Sequence, residues 1–208
     1  MPTYRLAKKH ELHEVAALLT QSFLDYPLFS QLLSSSGDLY QKQIFQLNWI
    51  NTKLYAQQNS CFVGVVDGQI VSVMLLKKGG STSPGLWQYI RSGGLKLASL
   101  AGIPRALRIV RTLDAMKQAC KPYDQESWYV DSIAVAKHMQ GQSLGSALFH
   151  SFLFPYIRKH GGGMITLVTH TESNKKFYCK NGFEVFSEYL IGASGKEITN
   201  YSFRQVVT

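Results

Sequence analysis

The spacing of apolar residues changes along the chain between the period of a helix and that of a strand, which predicts a mixed α/β structure. Apolar positions recur every three or four residues over Glu11–Phe23 and Leu39–Gln57, as they do on one face of a helix. Cys61–Val66 and Gln69–Lys77 are rich in strand-forming residues and flank an Asp-Gly pair, the signal for a two-residue hairpin turn. We therefore predict two helices followed by a β-hairpin.

Shorter signals frame these elements. Thr3–Ala7 predicts a first strand, and Pro27 and the cluster Ser34–Gly37 predict a break between the two helices. The second half of the chain alternates again between strands and helices. A strand is predicted at Ser127–Val135, followed by a helix at Leu144–Lys159 that Pro155 should kink and a strand at Met164–Thr169. A short helix at Glu172–Asn181, ended by Gly182, precedes two final antiparallel strands at Phe183–Ile191 and Ile198–Gln205.

The segment from Gly79 to Gln125 has a different character. We predict two amphipathic helices in it, Leu86–Leu100 and a second from Pro104 to Cys120, and it holds seven basic but only two acidic residues. One interpretation is an insertion that covers a sheet edge with solvated charges, and another is a wall of a substrate pocket. The two interpretations are compatible. A helix on a membrane surface is disfavoured because glycines at 93, 94 and 102 interrupt its apolar face.

Composition narrows the class of protein. A chain of 208 residues, of which 45% are hydrophobic, can bury a sizeable core and is most simply one domain, 1–208. The formal net charge of +9 suits a polyanionic partner such as nucleic acid, an acidic membrane or a phosphate-rich cofactor. We predict a cytoplasmic protein, because its three cysteines are widely spaced outside any metal pattern and the sequence shows no signal-peptide core and no membrane-spanning run. We expect a monomer or a homodimer.

The turn Gln140–Gly145 is the first candidate for chemistry. It follows the apolar run Val130–Val135 and opens a helix, so unpaired backbone N–H groups lie at the positive end of a helix dipole. Such a turn binds anions, and small residues let a phosphate approach the backbone. Taken alone, the same pattern also fits an ordinary strand-to-helix turn.

A second motif follows at Asn174–Phe183 and contains Phe177, Tyr178 and Gly182. In this order the two motifs resemble the acetyl-CoA core of the GNAT superfamily of N-acetyltransferases over Ser127–Phe186. The chain departs from that pattern where Ser143 replaces the first motif glycine and where Thr171 replaces the first asparagine. The resemblance implies an α/β (α+β) fold with a central mixed, mostly antiparallel sheet flanked by helices. It also implies a helical insertion at 79–125 and an acetyl-CoA core at 127–186.

The resemblance also implies a set of cofactor contacts. The turn would bind the pyrophosphate of acetyl-CoA through backbone N–H groups, with Ser143 as a helix cap able to contact a phosphate, and the preceding strand would pair with the pantetheine arm. The cofactor-binding residues so implied are Ile133, Ala134, Val135, Gln140, Gly141, Gln142, Ser143, Leu144, Gly145, Ser146 and Asn174.

Two residues are predicted to act in catalysis. The resemblance places Tyr178 near the sulfur, where it would protonate the leaving thiolate; as a core aromatic it would only pack. Asp131 is predicted to be a base or to orient the substrate, and strand alternation puts it on the face of Tyr129 and Ile133. No metal site is expected, because the histidines lack a zinc-like spacing.

Acetyl transfer from acetyl-CoA to a primary amine of a small molecule, by direct attack in a ternary complex, is the function that this resemblance favours. A looser similarity to the puromycin N-acetyltransferase group suggests the small amine. The alternatives are a protein lysine or N-terminal acetyltransferase and a CoA-binding module without turnover. We expect neither a nucleic-acid partner nor a membrane partner, since the basic run lacks interleaved aromatic residues and a recognised motif.

Overall fold

The computed structural model describes residues 2–33, 37–81, 84–192, 195 and 197–208; the predicted break at 34–36 lies outside these ranges. Its seven strands form one sheet in the order β1-β2-β3-β4-β5-β7-β6, and among the described residues every recorded pairing is antiparallel except β4 with β5. The strands are β1 (Thr3–Leu6), β2 (Cys61–Val66), β3 (Gln69–Lys77), β4 (Trp128–Val135), β5 (Gly163–Thr169), β6 (Glu184–Ile191) and β7 (Ile198–Val207). The predicted fold class, a mixed and mostly antiparallel sheet flanked by helices, is confirmed.

Helices cover both faces of this sheet. They are α1 (Leu12–Phe23), α2 (Pro27–Leu32), α3 (Gly37–Gln57), α4 (Leu86–Tyr89), α5 (Leu95–Ala101), α6 (Ile103–Met116), α7 (Leu144–Ala147), α8 (Phe154–Lys159) and α9 (Glu172–Lys180). A π-helical turn, Ile90–Gly94, joins α4 to α5, and a second, Leu148–Leu153, joins α7 to α8. Within the described ranges, no helix combines the length and apolar character needed to cross a bilayer.

The predicted hairpin is confirmed with both strand boundaries. Asp67 and Gly68 have φ values of 48° and 80°, so both turn residues adopt the left-handed conformation that a tight two-residue hairpin turn requires. The outer face of the hairpin packs on α1, where Val15 and Leu19 meet Val63 and Val73 in a buried cluster. This packing explains why the apolar stripe of α1 and the apolar strands can be recognised from the sequence alone.

The opposite face of the sheet carries an aromatic core. Phe149 and Leu153, from the helical run after the turn, pack with Ile165 and Phe203 of the sheet and with Tyr178 of α9. The predicted long helix is interrupted by the π-helical turn Leu148–Leu153, and Pro155 lies directly after it, in the first turn of α8. The core holds the turn and α9 side by side.

One helix was missed from the sequence. Pro27 was predicted to break the chain, but it begins α2 instead, because proline lacks an amide hydrogen and therefore fits the first turn of a helix, where that hydrogen has no partner. Leu28 and Leu32 of α2 are buried against Ile44 of α3 and Ile109 of α6. The predicted second helix of the basic segment also ends earlier than expected, at Met116 rather than Cys120.

The helices α4–α6 lie mainly on α3. Gln43 and Gln46 of α3 donate hydrogen bonds to the carbonyls of Leu100 and Gly93, at 2.9 and 3.0 Å, and Leu97 packs beside α3. The segment also reaches the edge strand β6, where the Tyr189 hydroxyl donates to the carbonyl of Ala115 at 2.9 Å. The segment therefore lies against both α3 and one edge of the sheet.

The parallel strands β4 and β5 diverge and thereby create the site. They pair only from Trp128 to Val130, opposite Ile165 to Leu167, and the remainder of β4 is bonded on its other side, to β3. A register shift in the β3–β4 pairing leaves Asp131 as an extra residue, which is a β-bulge. Beyond this point a cleft opens between the two strands.

The bulge corrects one expectation from strand alternation. Tyr129 and Ile133 were expected on one face, but Ile133 packs against the aromatic core while Tyr129 lies beside Lys117 of the helical segment. An extra residue reverses the order of faces along a strand, and alternation cannot reveal that without the pairing register. Asp131 turns toward α3 and the helical segment.

Candidate active site

A single large cavity occupies the cleft between β4 and β5. Its volume is about 1280 Å³, and it extends from the turn after β4, past α9, to the helical segment α4–α6. The structure brings nearly all of the predicted site residues to its walls, as follows: Asp131, Ile133, Ala134, Val135, Gln140, Gly141, Ser143, Leu144, Gly145, Ser146, Asn174 and Tyr178. Gln142 is not part of this lining, and its side-chain amide lies 3.9 Å from the sulfur of Met139.

The turn has the backbone geometry of an anion site. Gly141 and Ser143 have positive φ values of 79° and 59°, and Gln140 fixes the start of the turn by donating to the Val135 carbonyl at 3.0 Å. The amide of Ala147 bonds to the Ser143 carbonyl, so the amides of residues 144–146 precede the first bond of the helix. The residues that carry these amides line the cavity, and the amides lie at the positive end of the helix dipole.

One expectation about this turn needs correction. Ser143 was expected to cap the helix, but it lies at the N-cap in a left-handed conformation and its side chain makes no capping hydrogen bond. Gly145 also has a packing role. A Cβ atom at Gly145 would lie 2.9 Å from Cζ of Phe177, so the absent side chain allows α7 to approach α9.

Tyr178 is buried on α9 among aromatic rings and still borders the cavity. Its ring centre lies 5.4 Å from that of Phe203 and 5.8 Å from that of Phe183, and 6% of the residue is exposed. Burial, with a smaller contribution from Tyr26, raises the pKa of its phenol far above the ordinary value. The hydroxyl therefore carries its proton at any working pH, as a general acid must.

The predicted pantetheine contact, Asn174, is tied into the end of β5. Its side-chain amide donates to Oγ1 of Thr169 at 3.0 Å, and its backbone amide donates to Oγ1 of Thr171 at 3.2 Å. Thr171, which departs from the expected asparagine, therefore serves as the N-cap of α9. Its role is to start the helix that carries Tyr178.

Asp131 makes a buried ion pair inside the cavity. Oδ1 lies 2.5 Å from the ammonium of Lys117, while Oδ2 accepts hydrogen bonds from Asn51 at 2.5 Å and from Ser132 at 3.2 Å. Burial alone would raise the pKa of this carboxyl, but Lys117 and the hydrogen bonds outweigh it, so the pKa is lowered. A carboxylate with a lowered pKa and occupied oxygens is better suited to orienting a substrate than to accepting a proton.

We expect Asp131→Asn to destabilise the protein, because it leaves the Lys117 ammonium without its counter-charge. Breaking a buried pair costs about 3–5 kcal/mol, and the partial exposure of Lys117 favours the lower end. Urea unfolding measures this loss, and the matched double variant Lys117→Met/Asp131→Asn should recover much of it. Unchanged stability together with abolished turnover would instead show that Asp131 is the base.

Solved structures of N-acetyltransferases share this fold. Mosquito arylalkylamine N-acetyltransferase like 5b superposes with a TM-score of 0.69 at 17% identity, over 99% of this chain and 100% of that one. A Drosophila melanogaster polyamine N-acetyltransferase superposes with a TM-score of 0.67 at 14% identity, over 99% of this chain and 100% of that one. A structure described as histone acetyltransferase HPA2 and related acetyltransferase, from Corynebacterium glutamicum, superposes with a TM-score of 0.66 at 19% identity, over 97% of this chain and 94% of that one. At such identities the similarity concerns the fold.

A family model described as the acetyltransferase (GNAT) domain matches residues 110–185, which contain β4, the turn and α9. Residues 110–185 are therefore recognised as a GNAT acetyltransferase domain. None of the curated proteins matches its sequence significantly. The recognition made from the two motifs is therefore confirmed, and the predicted enzyme class with it.

Sequence reasoning missed one polar cluster in this GNAT site. The Tyr26 hydroxyl lies 2.9 Å from Nδ1 of His170 and 3.1 Å from Oγ1 of Thr169, and the backbone amide of His170 donates to it at 3.0 Å. Tyr26 and His170 are 144 residues apart and meet only because α2 lies over the end of β5. No short motif contains both residues, so no local signal was available.

Burial lowers the pKa of His170 to about 4, against a smaller raising effect from Asn200. The unfolded chain, with a histidine pKa near 6.5, binds more protons than the native GNAT fold between pH 6.5 and pH 4. We therefore expect stability to fall on acidification through that window, by about 3 kcal/mol from His170. Urea unfolding measured at several pH values should show that the free energy of unfolding depends less steeply on pH in His170→Gln than in the wild type. An unchanged slope in this variant would contradict the assignment. The exposed His138→Gln should keep the full slope.

The part of the cavity away from the turn is strongly apolar. Side chains from α1, α2, α3, α5 and α6 converge there. The sequence indicated the members from α5 and α6 through the amphipathic pattern of the helical segment. The apolar residues that line this chamber are Phe23, Leu28, Leu47, Ile50, Leu54, Leu97, Ala98, Leu113 and Met116. We call this part of the GNAT cavity the apolar chamber.

Proposed function

We propose that this GNAT enzyme transfers an acetyl group from acetyl-CoA to the primary amine of a small, largely apolar molecule, by direct attack in a ternary complex. One observation carries the proposal: a single cavity joins the turn, Tyr178 and the apolar chamber. A cofactor bound at the turn and an amine bound in the chamber would therefore meet beside Tyr178. Most of the predicted cofactor residues and both predicted catalytic residues lie on this path.

The turn is suited to hold the pyrophosphate of acetyl-CoA. The amides at the start of α7 supply hydrogen-bond donors, and the positive φ of Gly141 and Ser143 curves the backbone around that position. The exposed edge of β4, where it separates from β5, leaves its backbone available to the pantetheine amides. Acetyl-CoA supplies the activated acetyl group when it is bound.

Tyr178 is the proposed proton donor. Attack of the amine nitrogen on the thioester carbonyl forms the carbon–nitrogen bond and breaks the carbon–sulfur bond. The thiolate that leaves takes the phenolic proton of Tyr178, and the nitrogen gives up its extra proton to water. Solvent then returns a proton to the phenolate. The raised pKa of Tyr178 keeps the phenol protonated before the sulfur leaves. It also makes the phenol a weaker acid than a thiol, so the transfer is completed only when solvent reprotonates the phenolate.

The chamber itself promotes the neutral form of the amine. Burial among apolar side chains disfavours an ammonium and lowers its pKa, so the proton passes to water before the attack. Asp131 and Lys117 stay at one wall as a mutual pair, and Asp131 acts there in orienting the acceptor. Asp114, near the same wall, is paired with Lys121 at 2.9 Å.

These pairings favour an apolar amine over a polyamine. A second ammonium would need a carboxylate of its own. Of the four carboxylates among the described lining residues, Asp131, Asp114 and Asp25 already have basic partners, which leaves Asp124. Pentylamine and cadaverine test this choice, because they have the same carbon chain and differ by one terminal ammonium. Thiol release from acetyl-CoA should have the higher kcat/KM with pentylamine.

Other outcomes of this assay would select a different function. Acetyl-CoA binding in calorimetry without thiol release from any amine would indicate a module that binds CoA but does not turn over. Faster release with a lysine-containing peptide than with small amines would indicate a protein acetyltransferase. Faster release with cadaverine would overturn the apolar assignment and retain the reaction.

A further inference from the structure

Exposed apolar side chains are concentrated around the mouth of the cavity. Of the ten large apolar residues that are exposed in the described part of the chain, six lie in α4–α6: Trp87, Tyr89, Leu95, Ile103, Leu107 and Val110. All of these except Trp87 also line the cavity. They are therefore both solvent-facing and next to one opening, which makes them a rim rather than scattered surface residues.

Helix α6 has the pattern of a helix that lies in an interface. Ile103, Leu107 and Val110 are 68%, 53% and 59% exposed and follow one another at the four- and three-residue spacing of a single helical stripe. Arg108 and Arg111 are exposed on the flank one position further round. An exposed apolar stripe beside a basic flank is the arrangement by which peripheral helices enter a lipid headgroup region.

Basic residues outnumber acidic ones along the helices of the rim. Arg91 and Lys96 are exposed on the helical turns next to Tyr89 and Leu95, and Asp114, the only acidic residue between 86 and 116, is paired with Lys121. A second copy of the chain would bring like charges together across the rim, and nucleic acid would leave its apolar centre uncovered. An anionic bilayer satisfies both features, because its headgroups are negative and its interior is apolar.

The glycines that argued against a membrane helix help to form this surface. Gly93 and Gly102 have φ values of 119° and 80°, which bend the segment into three short helices around the opening. One long helix would present a single stripe, whereas the bent segment carries Trp87, Leu95 and the α6 stripe on three separate helices. The interruption seen in the sequence thus shapes the rim.

We propose that helices α4–α6 dock on an anionic membrane surface, with the cavity mouth at the lipid headgroups. Trp87 and the exposed apolar residues of the rim enter the headgroup region, while the basic residues contact anionic lipids. The proposal is independent of the acetyl-transfer reaction, because docking is measured on the protein without any substrate.

Co-sedimentation with vesicles tests the proposal. Vesicles of phosphatidylcholine with added phosphatidylserine should bind the full chain, and vesicles of phosphatidylcholine alone should bind it much less. Removing two charges with Arg91→Gln/Lys96→Gln should weaken binding roughly 30-fold, at about 1 kcal/mol for each basic residue near the surface. Trp87→Ser should weaken it roughly tenfold through lost apolar burial.

Matched variants separate docking from general charge. Lys9→Gln/Lys159→Gln removes two exposed charges outside the segment, and Leu190→Ser removes an exposed apolar residue of β6; both should bind as the wild type does. Equal losses in the control and rim variants, or no preference for phosphatidylserine, would overturn the proposal. So would sedimentation of the free protein as an oligomer that Trp87→Ser dissociates, because the rim would then join copies of the chain.

Discussion

Replacing Tyr178 with phenylalanine is expected to lower turnover by about 10²- to 10⁴-fold, the usual contribution of a positioned general acid. The substitution keeps the ring against Phe149, Phe183 and Phe203 and removes only the hydroxyl. Acetyl-CoA affinity in calorimetry and the melting temperature should therefore stay close to those of the wild type. The loss should appear in kcat, because the proton moves only when the sulfur leaves.

Tyr178→Ala is the control for packing. It removes a buried ring from the aromatic core, which costs about 3–5 kcal/mol of stability through the cavity it leaves. If Tyr178 only packs, the phenylalanine variant keeps wild-type turnover and the alanine variant alone is impaired. Wild-type turnover in Tyr178→Phe on the best acceptor would falsify the assignment of this hydroxyl as the acid.

Replacing Ser143 with aspartate is expected to weaken acetyl-CoA binding strongly while the fold remains stable. An aspartate tolerates the left-handed conformation of this position and is favourable at a helix N-terminus, so stability should hold or rise. At a separation of about 4 Å, the new carboxylate and a phosphate repel each other by about 1 kcal/mol in water and by about 4 kcal/mol near a protein surface. This corresponds to a loss of affinity of roughly 5- to 1000-fold.

Ser143→Asn is the matched neutral variant. Asparagine has nearly the shape of aspartate and also tolerates positive φ, so it should bind acetyl-CoA far better than the aspartate variant. Equal affinities of the two variants in calorimetry would place the pyrophosphate elsewhere. This pair is more informative than a bulky substitution at Gly145, which would collide with Phe177 whatever the cofactor does.

The elements with strong local signals were predictable from the sequence. The hairpin depends on an Asp-Gly turn between two apolar strands, and both of its strands have the predicted bounds. The turn and α9 were found by motif, since the residues of each motif lie close together in the chain. The recognition of the superfamily followed from these two motifs in order.

Features that depend on distant residues were decided only by the tertiary structure. The bulge at Asp131 depends on how β4 pairs with β3, and it reversed the faces that alternation predicted. The reason for glycine at position 145 became visible only when Phe177 lay beside it.

The sequence by itself determined the local elements, the superfamily and the residues around the turn and α9, because neighbouring residues encode them. The ion pair of Asp131 with Lys117, the contact of Tyr26 with His170 and the apolar chamber required the folded chain. Their members come from separate helices and strands, and the free energy that brings them together is that of packing those elements on one sheet. Burial then sets the pKa values that decide which groups can act, and burial is a property of the whole fold.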